Sequence, residues 1–391
     1  MEQLRTAVIG YGNMGSAHAA CIGEDRIDGL HLTAVCDINP EHLARARERH
    51  PGIACFETAD ALVASGAVDA AVVAVPHPLH AELAIKALRG GVHTLVEKPI
   101  DISVTRARAL CEAARESGRV FAIMLNQRTN PLFRKARELV RGGELGELKR
   151  STWIITNWYR TQHYYDSGAW RATWAGEGGG VLLNQAPHNL DLWQWICGMP
   201  VEVTAWCRTA RYHRIEVEDD ATLLVRYANG ATGQFITTTG EYPGTNRLEI
   251  VGDLGKMVLE GGSLRWWRLH EPEPQVRFGA ETSFAHIDMD ETEILPEEPE
   301  TAHAGILQNF ANAILRGEAL LSPGEDGIKE LTLSNAAYLS QWLGNSPVPI
   351  PFDTARFDAL LQERAAHSSY QAGHRVSELN DRYSERWQVN W

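Results

Sequence analysis

Apolar positions in the first 125 residues follow two alternating rhythms. Short continuous runs stand at 7–9, 32–36, 70–75, 93–96 and 120–124. Between them, apolar residues return at helical spacing over 14–22, 41–49, 78–88 and 103–117. Runs of the first kind suit strands buried on both faces, and the second spacing suits amphipathic helices. Their alternation predicts βαβ units and a doubly wound parallel sheet of Rossmann type over 1–125.

The rhythm changes after Asn126. A helical pattern over 131–141 stops at Gly142-Gly143, and longer strand-like stretches follow at 147–157, 201–209, 221–227, 231–239 and 247–251. Asn229-Gly230 joins two of these at hairpin spacing, so antiparallel pairing is expected. Helical patterns return at 304–315 and 325–343. The fold class read from this is α/β: an N-terminal Rossmann domain, then a C-terminal α+β domain over 126–350 on a large, mostly antiparallel open sheet. Pro347, Pro349 and Pro351 lead into a polar tail or arm over 351–391. A chain of 391 residues fits two such domains.

Composition narrows the partners. A net charge of -13 repels nucleic acid and acidic lipid surfaces. Six scattered cysteines without a C-x-x-C pair suit reduced thiols rather than a disulfide framework or zinc site. The chain enters a strand-like run soon after Met1, leaving no room for an export signal, and no apolar run reaches the roughly 18–20 residues of a membrane span. A cytoplasmic protein with a small-molecule partner, and no nucleic-acid or membrane partner, is expected.

Candidate chemistry begins at Gly10-Tyr11-Gly12-Asn13-Met14-Gly15, which opens directly after the first apolar run. In that context Gly10 permits a tight turn, Gly12 lets the backbone approach a pyrophosphate, and Gly15 lets helix and sheet pack closely. Asp37 ends the second run, where an acid accepts both ribose hydroxyls of NAD and repels the 2′-phosphate of NADP; a turn or cap role before Pro40 is the alternative. Pro76-His77-Pro78-Leu79-His80 follows the 70–75 run, beside the expected nicotinamide ribose. His77 and His80 have no third ligand nearby, so packing beside the cofactor is expected and no metal.

Glu97-Lys98-Pro99 ends the 93–96 run and puts a lysine at the carboxyl end of a parallel strand, where open α/β sheets bind ligands. Its ammonium can hold a substrate hydroxyl or release a proton. A second charged and amide-rich segment runs from Gly178-Gly179-Gly180 through Asn184 and His188 to Asp191. Pro187 suits a first helical turn, which puts Asn184 near the N-cap and His188 one turn on along the same face. His188 suits proton transfer, or a core histidine satisfied by the backbone. Asn184 suits substrate binding or a cap, and Asp191 suits orienting a partner. Tyr159, Arg160, Trp170, Arg171 and Trp174 lie between, with Arg128 at the domain junction. Aromatic faces suit a pyranose and arginine forks suit anionic oxygens; a lid or subunit contact is the alternative. Six of the 37 basic residues are lysines and 31 are arginines, so an arginine near the site says less than Lys98 does.

These motifs, in this order, resemble the glucose–fructose oxidoreductase / inositol dehydrogenase (Gfo/Idh/MocA) family over roughly residues 5–345. The resemblance implies an NAD(P)-dependent enzyme acting mainly on sugars and cyclitols, with an open C-terminal sheet that often forms the oligomer interface of a homodimer or homotetramer. It implies a catalytic set of Lys98 at the reacting hydroxyl, His188 as general base and Asn184. Many members carry an aspartate where Asn184 stands, and an amide cannot store negative charge or relay a proton as a carboxylate can. A sugar dehydrogenase or reductase is expected. The alternatives are an NAD-dependent glycosidase working by transient oxidation, elimination, water addition and reduction on an anionic glycoside (uronide or sulfoquinovoside), and a non-catalytic NAD-binding protein.

Overall fold

The computed structural model describes residues 3–168 and 170–369. Strands β1 (Leu4–Ile9), β2 (Leu30–Cys36), β3 (Ala54–Phe56), β4 (Ala70–Val73), β5 (His93–Val96) and β6 (Phe121–Ile123) form one sheet in the order β3-β2-β1-β4-β5-β6. Every pairing is parallel. All four residues of β4 are fully buried, which is why its run shows no polar alternation. The chain reverses its direction of winding between β1 and β4, the switch point at which such sheets bind ligands. The expected runs omit β3, a three-residue edge strand too short and too exposed to leave an apolar run.

The second sheet contains β7 (Leu148–Ile155), β8 (Glu202–Thr209), β9 (Glu218–Arg226), β10 (Thr232–Thr238), β11 (Asn246–Gly252), β12 (Gly255–Glu260), β13 (Ser263–Leu269), β14 (Met289–Ile294) and β15 (Val348–Pro349). Their order is β14-β13-β12-β11-β7-β10-β9-β8-β15. The turn at Asn229-Gly230 joins β9 to β10 antiparallel, as its hairpin signal predicts. One pair, β7 with β10, is parallel. Strands β12 to β15 extend the sheet beyond the stretches that the pattern picks out. In β14 five of six residues are exposed, so it has no buried side to create an alternation.

Helices cover the inner face of this sheet. Trp193 of the helix Pro187–Cys197 meets Phe235 of β10 at 5.5 Å between rings, and Phe235 in turn meets Trp153 of β7 at 6.2 Å. The helix Ala302–Arg316 instead returns to the parallel sheet. Its Ile306, Leu307, Phe310 and Ala311 share one core with Val8, Ile22 and Leu30, so the 126–350 segment lends a helix to the first layer. The tail expected to be polar begins with a packed helix, Thr354–Ala366, capped by Asp353. Phe357 stacks on Trp342 at 5.3 Å, and Ser103 donates to Asp358. The remainder of that tail, 370–391, lies outside the described residues. The six cysteines are free thiols. Among the described residues no helix is long and apolar enough to cross a membrane.

Candidate active site

The turn after β1 is shaped by contact. Gly10 has φ +91°, and a Cβ there would stand 2.4 Å from the Ala74 carbonyl oxygen; one on Gly15 would stand 1.7 Å from the Gly10 carbonyl oxygen. Gly12, the N-cap of the helix Asn13–Gly23, opens onto free space instead. The backbone there is accessible to a ligand, and the helix begins with no acidic residue to repel an anion. Tyr11 is buried, while Asn13 and Met14 open the helix.

Asp37 closes this cradle at the end of β2. Its carboxylate accepts from the Tyr11 N–H at 2.6 Å and the Asn39 N–H at 2.8 Å, with His42 Nδ1 at 3.0 Å. Burial pushes the Asp37 carboxyl up, but His42 and the two backbone donors outweigh it and hold the group below its ordinary value. An open backbone turn at a helix start with a fixed carboxylate beside it fits a dinucleotide with free ribose hydroxyls.

His77 and His80 follow Pro76 at the end of the β4 loop, their rings 5.9 Å apart. His77 Nδ1 lies 3.1 Å from the Glu177 carbonyl oxygen. His80 presents Nδ1 to the Pro99 carbonyl at 2.6 Å and Nε2 to the Val75 carbonyl at 2.7 Å, which commits both its nitrogens to the main chain.

Behind the lysine, Glu97 Oε1 lies 2.7 Å from His18 Nε2. Burial alone would raise the Glu97 carboxyl; His18, with His303 and Lys98, brings it down to about 2. The His18 and His303 rings stand 5.8 Å apart. Neither histidine is singled out by the sequence: His18 lies three residues past the glycine fingerprint, which specifies nothing at that position, and His303 has no motif around it.

Lys98 follows β5, its bond to Pro99 cis. Its Nζ donates to the Asn184 carbonyl oxygen at 2.7 Å. The expected cap geometry is corrected here. Asn184 ends a separate helical turn, Val181–Asn184, and the helix Pro187–Cys197 has Ala186 at its N-cap with no side-chain cap. Pro187 does occupy the first turn. The Asn184 amide donates to Glu177 Oε1 instead of capping, and the Tyr164 hydroxyl lies 3.5 Å from Asn184 Oδ1. Two glycines at its start let that turn lie against Tyr338 and β9. A Cβ on Gly179 would stand 2.2 Å from the Tyr338 hydroxyl, and one on Gly180 1.9 Å from the Glu218 carbonyl oxygen.

His188 is half-buried, and its Nδ1 is buried without a hydrogen-bond partner among the described residues. Burial, then the charges of Lys98 and His303, holds its pKa well below the ordinary value. Burial also lowers Lys98, against the opposing pull of Glu97 and Glu330.

Of the aromatic and arginine residues, Tyr164, Trp170 and Arg171 come together beside Asn184. The Arg171 guanidinium lies over Tyr164 at 4.6 Å and Trp170 at 4.5 Å, and donates to the Tyr164 hydroxyl at 2.7 Å. Trp170 also meets His77 at 5.4 Å. Arg160 covers Tyr164 at 5.2 Å, while Tyr159 is exposed and packs on Tyr242 at 5.6 Å. Trp174 turns into the aromatic cluster of Tyr338 and Trp342.

Arg128 is the clear departure from expectation. It is 1% exposed, and its fork donates to Asp191 at 2.8 and 2.7 Å and to Asp326 at 2.7 Å. A guanidinium taken up in this way ties three elements together and has no face left for a substrate. Asp191 orients Arg128. Glu177 is the residue that the motifs pass over: one glutamate ahead of a glycine triplet carries no spacing signal.

Comparison with known proteins agrees with this architecture. Residues 4–125 match the family model of an oxidoreductase family with an NAD-binding Rossmann fold, and residues 133–258 match the GFO/IDH/MocA C-terminal domain. Inositol 2-dehydrogenase of Rhizobium meliloti (strain 1021) is 24% identical over 343 residues, 86% of this chain and 96% of the relative. Levoglucosan dehydrogenase of Pseudarthrobacter phenanthrenivorans is 25% identical, over 66% of this chain and 74% of its own length. The WlbA dehydrogenase from Bordetella pertussis, solved with NADH and UDP-GlcNAcA, is 27% identical with a TM-score of 0.76, covering 90% of this chain and 99% of that one. This chain therefore belongs to the Gfo/Idh/MocA family of NAD-binding oxidoreductases.

Proposed function

We propose that this protein is an NAD-dependent dehydrogenase or reductase that interconverts a ring carbinol and a ketone on a sugar or cyclitol. The observation that carries the reading is the Lys98 ammonium, held by the Asn184 carbonyl at 2.7 Å where the two layers meet. The inositol, levoglucosan and UDP-GlcNAcA relatives support a polyhydroxylated ring as substrate. When bound, NAD supplies hydride acceptance and return; the Gly10–Gly15 backbone and Asp37 would hold it. Lys98 holds the reacting oxygen by donating to it, and its lowered pKa brings proton release within reach. His188 is neutral at ordinary pH, which leaves a ring nitrogen able to take the hydroxyl proton. Trp170, Tyr164 and Arg171 form a wall for the ring.

The test is a panel of cyclitols and sugars with NAD, followed by NADH absorbance, in the wild type and Lys98→Met. NADH formation with at least one compound, lost in a variant that still binds NAD, is expected. A variant with undiminished turnover would reject the role of Lys98. A second reading, redox-neutral cleavage of an anionic glycoside, is favoured by Arg171 stacked between two aromatic rings beside Asn184. Aglycone release with catalytic NAD and no net NADH would replace the first reading with the second. The outer face of the nine-stranded sheet, where Trp206 and Leu224 are 42% and 43% exposed, suits a homodimer or homotetramer, which sedimentation would resolve.

A further inference from the structure

We propose that Glu177 is a positioning residue of this site: one carboxylate oxygen fixes the Asn184 turn that presents its carbonyl to Lys98, and the other fixes the Arg171–Ala172 turn of the substrate wall. This rests on the reading of Lys98 as the group that meets the substrate oxygen.

Glu177 is 2% exposed and contacts the Asn184 turn, the Arg171–Ala172 turn and His77. Its Oε1 accepts from the Asn184 side-chain amide, and its Oε2 accepts from the Ala172 N–H at 2.6 Å. Arg171 lies 4.0 Å from Oε1. Its own carbonyl meets His77 Nδ1, so the same residue reaches the cofactor-side loop. Asn184 ends a helical turn of four residues whose start is held by Glu218, which accepts from the Gly180 and Leu182 N–H groups at 2.9 Å each, while among the described residues no carboxylate but Glu177 holds its Asn184 end. The tether from Glu177 is what fixes its side chain.

The pattern suits a carboxylate. Both oxygens face donors, an N–H on one side and an NH2 on the other. A protonated acid or a glutamine keeps both contacts only if the Asn184 amide turns over, which takes Oδ1 away from the Tyr164 hydroxyl. Burial works against ionisation and keeps the carboxyl above its ordinary value; Arg171, the Ala172 N–H, the Asn184 amide and Lys98 oppose that rise.

The experiment reads Lys98 directly, through the pH dependence of its acetylation by acetic anhydride, resolved by peptide mass analysis. The charges acting on Lys98 come from Glu97 at its own strand end, Arg171 and Glu177 of the wall, and Glu330 of the helix Gly327–Trp342; His77, His80, His188 and His303 face it as neutral rings. In E177Q the midpoint should move down, because a stabilising anion is lost. On whichever panel compound turns over, kcat should fall about 10²-fold from misplacement, with NAD affinity by fluorescence quenching unchanged. The exchanged pair E177Q/N184D restores complementarity: the new side-chain amide donates to the new carboxylate, while the oxygen of that amide accepts from the Ala172 N–H. It should recover the midpoint and most of kcat. An unmoved midpoint in E177Q, or a double variant no better than E177Q, would overturn the proposal. Should E177Q not fold, N184A removes the tether but keeps the carbonyl. The same kcat loss with NAD affinity kept is then expected, and undiminished kcat would overturn it. If the wild type turns over no compound, the functional reading fails, while the Lys98 midpoints still decide the role of Glu177.

Discussion

Lys98 and Asn184 meet across the two layers of the molecule, Nζ to carbonyl oxygen at 2.7 Å. One follows a strand of the parallel sheet; the other ends a turn carried by the second domain. The contact uses the backbone of Asn184 and leaves its side chain to Glu177.

Lys98→Met should therefore lower kcat by about 10²–10⁴-fold, the range for loss of a positioned proton-transfer group. NAD affinity should be kept, since the glycine turn and Asp37 are untouched. The pH profile of kcat/KM follows from the two depressed groups. His188 must be neutral to accept a proton, so the acid limb should fall below the 6.5 of an ordinary imidazole. An alkaline limb from Lys98 should fall below 10.5. Steady-state rates of wild type and His188→Asn across the acid and alkaline ranges check both limbs.

Much of this was legible because burial writes itself into sequence. The fully buried β4 and the glycine turn after β1 leave an apolar run and a spacing that need no structure to read. Strand β14 leaves neither, since it lies exposed at the sheet edge. Lys98 and His188 were legible as residue types at expected places. The role of Arg128 was not, because its partners Asp191 and Asp326 lie 63 and 198 positions away along the chain. Glu177 was hidden for another reason: Ala172 and Asn184 lie only 5 and 7 positions away, but no local spacing shows that both turns fold their donors onto its carboxylate.

Asp37→Ser tests the cofactor end. The carboxylate is held ionised by His42, Asn39 and Tyr11, and hydrogen bonds to a charged acceptor contribute about 1.5–3 kcal/mol. NAD affinity should fall about 10–100-fold, and the preference over NADP should narrow because the like charge facing a 2′-phosphate is gone. Titration of both nucleotides by fluorescence quenching checks this; an unchanged ratio would remove Asp37 from the ribose site.

His303 makes stability depend on pH. Burial, with His18 and Lys98 against the pull of Glu97, brings its pKa down to about 3 from 6.5. The native state therefore excludes a proton that the unfolded chain binds below 6.5. Stability should fall as pH drops from 6.5 toward 3, at about 1.4 kcal/mol per pH unit from this residue. Glu218, pushed up to about 7, has the opposite slope: its contribution is present below 4.5 and lost as pH rises through 7. Comparing wild type with His303→Gln in urea cancels the Glu218 part. The variant should show a shallower loss of stability between neutral and mildly acidic pH.

Arg128→Met separates stability from binding. The guanidinium and the Asp191 carboxylate are each 1% exposed, whereas the Asp326 side chain retains 19% exposure. Removing the cation leaves the buried Asp191 carboxylate without its countercharge and with the Gln194 side-chain amide still donating to it at 2.9 Å, although Asp326 can turn to water. Breaking a buried pair from one side costs about 3–5 kcal/mol, and urea unfolding should show a loss of that size. The cost lies in the orphaned carboxylate, so Arg128→Met/Asp191→Leu should be more stable than Arg128→Met alone. The guanidinium is taken up by Asp191, Asp326 and the Leu321 carbonyl, so KM for whichever sugar is turned over should be unchanged in the folded double variant. A selective rise in KM without loss of stability would return Arg128 to the substrate site.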